Sequence, residues 1–117
     1  MIIDDSLFMR NWLTSILEAH SFKVTVEADN GVEGIIQYAE HLPDVVLLDV
    51  VMPRMSGTKT LEELLRQHPE AKVIICSSVD DQQQMDLCAK IGAFDFVQKP
   101  FFERIPSILE RVLAQSS

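Results

Sequence analysis

Apolar and polar positions along the chain fall into alternating blocks of two kinds. Short, mostly apolar runs, Met1-Ile2-Ile3, Val45 to Leu48, Val73 to Cys76 and Phe94 to Gln98, suit strands of a covered sheet, the second of them rich in β-branched residues. Between them lie stretches in which apolar residues recur at helical spacing. Ser6 offers a cap for a first helix with Phe8, Met9, Trp12, Leu13, Ile16 and Leu17 directed inward. Phe22 to Ala28 alternates weakly and predicts a second strand. Asp29-Asn30-Gly31 then turns into a helix that places Val32, Ile35, Ile36 and Ala39 inward and stops before Pro43. Thr58 to Gln67 predicts a third helix with Leu61, Leu64 and Leu65 buried. Asp80 to Lys90 predicts a fourth, with only a thin stripe of Met85, Cys88, Ala89 and Ile91 and a stop at Gly92, so it should be loosely held. Ile105, Ile108, Leu109, Val112 and Leu113 mark the last helix, with Pro106 in its first turn and Ala114 to Ser117 as a tail.

Strands that alternate with helices, each mostly an apolar run, call for an α/β fold, a five-stranded parallel sheet with helices on both faces. The first strand is short for the usual five or six residues. It is either stunted or the end of a strand that begins upstream. The 117 residues fit one domain, 1–117, with a single core. No apolar run approaches the length of a membrane span, and no signal peptide is visible, which predicts a cytoplasmic protein with no membrane partner. A net charge of −8 argues against direct contact of this domain with nucleic acid. Cys76 and Cys88 lack metal-site spacing and are expected to be buried free thiols. His20, His41 and His68 each fall at an expected helix end, where a dipolar or positive group is favoured.

The chemistry lies at the carboxyl ends of the strands, which in a parallel sheet share one edge. The run Asp44 to Gly57 is central. It is an apolar strand ending in Asp49, followed by Met52-Pro53, expected to stop the ladder, and by Gly57, expected to turn the chain. Asp4 and Asp5 follow the first strand, Ser77 the fourth and Lys99-Pro100 the fifth. Three convergent carboxylates repel unless a cation sits among them, which predicts a divalent ion, Mg2+ or Mn2+, with oxygen ligands. Lys99 and Ser77 add a positive charge and a hydroxyl suited to a phosphoryl group. A carboxylate nucleophile, a metal, a lysine and a hydroxyl are the equipment for forming an aspartyl phosphate.

Asp4-Asp5-Ser6, Asp49 with Met52-Pro53 and Gly57, Ser77, and Lys99-Pro100, in this order, resemble the receiver domain of two-component response regulators. The resemblance spans essentially the whole chain. It implies a flavodoxin-like sheet of order 2-1-3-4-5 and a cis peptide between Lys99 and Pro100. It further implies that Asp49 accepts phosphate from a sensor histidine kinase or phosphotransfer protein. Asp5, Asp49 and the carbonyl of Val51 would hold magnesium, with Asp4 acting through water. Ser77 and Phe96 would act as switch residues of a surface formed by the fourth helix, fifth strand and fifth helix. That surface would serve an output partner or a second copy, in a free-standing protein or as one part of a larger regulator.

Valine at positions 51 and 79 cannot orient an attacking water, which predicts slow self-dephosphorylation. Two competing functions are weaker. A phosphohydrolase turning over at Asp49 needs an acid two residues on, where Val51 stands. A phosphorylation-independent docking module would leave the strand-end set without purpose.

Overall fold

The computed structural model describes residues 1–78 and 80–116. The elements are β1 (Ile2–Ile3), α1 (Leu7–Ala19), β2 (Glu27–Ala28), α2 (Gly31–His41), β3 (Val46–Asp49), α3 (Gly57–Gln67), β4 (Val73–Ser77), α4 (Gln82–Ile91), β5 (Asp95–Gln98) and α5 (Ile105–Ser116). All strand pairs are parallel and the sheet order is β2-β1-β3-β4-β5, a flavodoxin-like doubly wound arrangement. Consecutive strand residues face opposite sides, which explains the uninterrupted apolar runs. Ile3, Leu48 and Ile75 pack under α2, α3 and α4 with Leu61, Leu64 and Cys88. Ile2, Leu47 and Ile74 pack under α1 and α5 with Leu13, Leu17, Ile105, Ile108 and Val112. Cys76 and Cys88 are free and buried, as expected.

Several expected faces differ. On α1, Phe8 is 72% and Trp12 38% exposed, because Leu13 and Leu17 supply the buried stripe. Trp12 instead stacks edge-on to Phe102, and Phe8 on Trp12. On α2, Val32, Ile36 and Ala39 face solvent while Gly31, Gly34 and Tyr38 are buried. The cause is close approach: a Cβ on Gly34 would meet Ile3 Cδ1 at 2.6 Å, so the helix rests on the sheet through its small residues. Ala89 of α4 and Leu113 of α5 are also exposed, and α5 runs through Ser116 where a tail from Ala114 was expected.

Phe22, Val24 and Val26 are half-buried and alternate with exposed residues as a strand would, yet only Glu27–Ala28 pair in the ladder. β1 offers just Ile2 and Ile3 as partners, so the ladder cannot run further back. His20 and His68 occupy the C-caps of α1 and α3, and His41 lies in the last turn of α2, in agreement with the helix-end expectation.

Candidate phosphoacceptor site at the carboxyl edge of the sheet

The ends of β1, β3, β4 and β5 bring the expected residues to one edge. Asp4 directly follows β1, with its amide donating to Ala28 O at 3.1 Å, so the sheet itself aims this carboxylate. Ser6, the N-cap of α1, donates its amide to Asp4 Oδ1 at 2.9 Å and fixes one carboxylate oxygen. Arg10, which sequence patterning did not single out, clamps this corner from α1. Its guanidinium donates to Asp4 O at 2.7 Å and to Glu27 Oε1 at 3.0 Å, joining the β1 end to β2. No local pattern in the chain marks this role, since Arg10 reads as one of several charges on an amphipathic helix.

Asp49 is the last residue of β3 and pairs with Cys76 of β4. The ladder stops there, after the amide of Val50 donates to Cys76 O at 3.3 Å, so Pro53 lies beyond the strand end and does not terminate it. Gly57 has a different task from the expected turn. A Cβ there would lie 2.2 Å from Asp49 O and 2.5 Å from Val50 Cα, so glycine is required for α3 to begin directly against the end of β3. The Gly57 amide donates to Val50 O at 2.8 Å and holds that approach.

Lys99 follows β5 and reaches back across the edge. Its Nζ lies 3.0 Å from Asp4 Oδ2 and 3.1 Å from Asp49 Oδ1, bridging the two buried carboxylates. The Lys99–Pro100 peptide is cis, and the Lys99 amide donates to Ser77 O at 2.6 Å, which ties the β5 end to that of β4. Asp49 Oδ1 also accepts from the amide of Val51 at 3.3 Å. Among the described residues, Oδ1 takes both of these contacts and Oδ2 neither.

Burial raises the Asp49 pKa from 3.8 to about 6, opposed by Lys99 and reinforced by Asp4. Burial pulls the Lys99 pKa down, but Asp49 and Asp4 outweigh it and hold the ammonium above its usual value. The site is therefore short of positive charge despite Lys99. One ligand atom from each of Asp4, Asp5 and Asp49 lies within 4.8 Å of the others, and all three offer hard oxygens, a donor set that fits a magnesium-like ion. Ser77 is fully buried, and its hydroxyl has no hydrogen-bond partner among the described residues. Phe96 is half-buried against the α2, α3 and α4 side of the core. Val51 is exposed, while Val79 lies outside the described residues.

No helix among the described residues is long and apolar enough to cross a membrane. Residues 1–112 match a family model described as the response regulator receiver domain. Among curated proteins, the chain is 40% identical over 112 residues to the chemotaxis protein CheY of Listeria monocytogenes, covering 95% of this chain and 94% of that protein. It is also 40% identical over 101 residues to CheY of Thermotoga maritima, covering 86% and 84%. Among solved structures, a receiver domain protein from Clostridium thermocellum superposes with a TM-score of 0.91 at 27% identity, over 98% of this chain and 93% of that one. The CheX–CheY–BeF3–Mg2+ complex from Borrelia burgdorferi gives 0.84 at 34% identity, over 99% and 87%. Motif order, sheet topology and family match agree: the chain belongs to the response regulator receiver domain family.

Proposed function

We propose that this domain is a phosphorylation switch in which Asp49 Oδ2 attacks the phosphorus of a phosphohistidine on a sensor kinase or phosphotransfer protein. The P–N bond breaks as the P–O bond forms, and the departing imidazole takes up a proton. The single observation that carries this reading is the state of Asp49. Its Oδ1 is held by Lys99 and the Val51 amide, while its other oxygen takes neither contact among the described residues. Asp4 cannot serve equally, because Ser6 and Lys99 already occupy its two oxygens.

Asp5 and Asp49, with the carbonyl of Val51, would hold Mg2+ or Mn2+, with Asp4 acting through water. Such an ion supplies charge stabilisation for the transferring phosphoryl group. Ser77, buried with an unsatisfied hydroxyl, is suited to donate to a phosphoryl oxygen, and Lys99 to shift from carboxylate to phosphate. Phe96 would then repack as the α4–β5–α5 surface changes for an output partner or a second copy. The resemblance to CheY proteins over most of their length supports a role in motility signalling. Catalytic turnover is not part of this reading. An apolar Val51 offers no acid for leaving-group protonation and no hydrogen bond to an attacking water, so the phosphorylated form should decay slowly.

The test is intact mass after incubation with acetyl phosphate, with and without magnesium. One magnesium-dependent phosphoryl adduct, absent in Asp49→Ala, is the expected result. A folded protein that gains no adduct refutes the reading and favours a docking module.

A further inference from the structure

Helix α4 is held to the body of the protein by little. Of its ten residues only Cys88 is buried, and its N-terminus lacks a side-chain cap. The would-be capping carboxylate of Asp81 accepts from the amide and hydroxyl of Ser78 instead, at 2.8 and 2.9 Å. Among the described residues, Thr58 makes the polar contacts that link the helix to α3. Thr58 Oγ1 donates to Gln84 Oε1 at 2.7 Å and lies 3.7 Å from Cys88 Sγ. Gln84 and Cys88 are one turn apart, so Thr58 addresses a single stripe of α4. Thr58 is itself buried, and it follows Gly57, whose backbone rests on Asp49 O and Val50. Direct contacts therefore run from the backbone of Asp49 through Gly57 and Thr58 to α4.

We propose that Thr58 and Gln84 are positioning residues: their hydrogen bond pins α4 against α3 and ties the helix to the phosphoacceptor loop, so that displacement of the loop is passed to α4 through Thr58. The coupling half rests on Asp49 being the phosphoacceptor, whereas the pin does not. Valine matches threonine in shape, so Thr58→Val removes the hydroxyl with little change in packing. Gln84 is exposed, so Gln84→Ala removes little buried packing.

Hydrogen exchange on the full chain tests both halves. In the resting protein, Thr58→Val should speed exchange across residues 82–91 about fivefold, the population equivalent of one ordinary hydrogen bond, while α2 and α5 stay unchanged. Gln84→Ala should do the same, the double variant should add nothing further, and Thr58→Ser should restore the wild-type rate. Unchanged exchange in both single variants, or effects that add in the double, would overturn the pin.

After acetyl phosphate and magnesium, with the adduct counted by intact mass, wild-type α4 should approach the exchange rate of Thr58→Val, and that variant should change no further. An adduct accompanied by equal α4 responses in both proteins overturns the coupling. No adduct on wild type refutes the phosphoacceptor reading and the coupling with it, while the resting-state comparison still decides the pin.

Discussion

Replacing Asp49 with asparagine should make the metal-free protein more stable at neutral pH. Asp49 is 8% exposed, and burial raises its pKa from 3.8 to about 6 against the opposing pull of Lys99. In the unfolded chain the carboxyl regains its ordinary value. Between the two values the folded state keeps a proton that the unfolded state has released, so stability falls as pH rises through this window. The loss is absent below about pH 3.8 and complete above about pH 6. Converted at 1.36 kcal/mol per pKa unit, its upper bound is about 3 kcal/mol, reduced by whatever solvent reaches the carboxylate.

Asparagine keeps the shape and removes the charge, and Lys99 retains Asp4 at 3.0 Å. Urea unfolding of both proteins with EDTA, from about pH 4 to pH 8, reads the difference directly. The variant's advantage should approach the bound at neutral pH and vanish near pH 4. Magnesium should close the gap from the wild-type side, because a cation held as proposed by Asp5 and Asp49 would remove the cost of ionising Asp49. If the variant is less stable at neutral pH, or its advantage does not change with pH, Lys99 outweighs burial and the charge-deficient view of the site is wrong.

Lys99→Met should cost roughly 3 kcal/mol in EDTA, the low end for breaking a buried pair, because Asp4 and Asp49 are left facing each other. Magnesium should restore part of the loss in thermal unfolding, and failure to do so would place the metal elsewhere. A second prediction concerns the groove of about 620 Å3 that continues the line of β1 behind Met1, between Phe22–Thr25 and Pro43–Val45. Burial lowers the Met1 ammonium pKa from 8.0 to about 6, so stability should rise with pH across that interval. An engineered Val/Ile extension of four residues before Met1 should fill the groove, abolish this slope and add about 1–2 kcal/mol net of ordering entropy, whereas a Gly/Ser extension should remove the slope alone. Chemical denaturation of the two extended proteins distinguishes these outcomes.

The site was more legible in the sequence than the faces of the helices, and the reason is physical. In a parallel sheet every strand's last residue goes to the same edge, so Asp4, Asp49, Ser77 and Lys99 need only correct strand assignment to be brought together. Helix faces depend on how closely a helix approaches the sheet. On α2, Gly34 meets Ile3, and that contact rotates Val32 and Ile36 outward although they are the more apolar residues. Trp12 follows the same logic on α1, where Phe102 from the segment after β5 meets it at the surface. The same limit hid Arg10, Thr58 and Gln84. Each acts on a group distant in the chain, through a contact made only once two elements have docked. The strand-end residues carry the chemistry proposed for the site, while these docking contacts decide how the loop and helix around it are held. Two receiver domains with the same strand-end residues should therefore differ in how far α4 responds, according to whether α3 offers a hydroxyl where Thr58 stands.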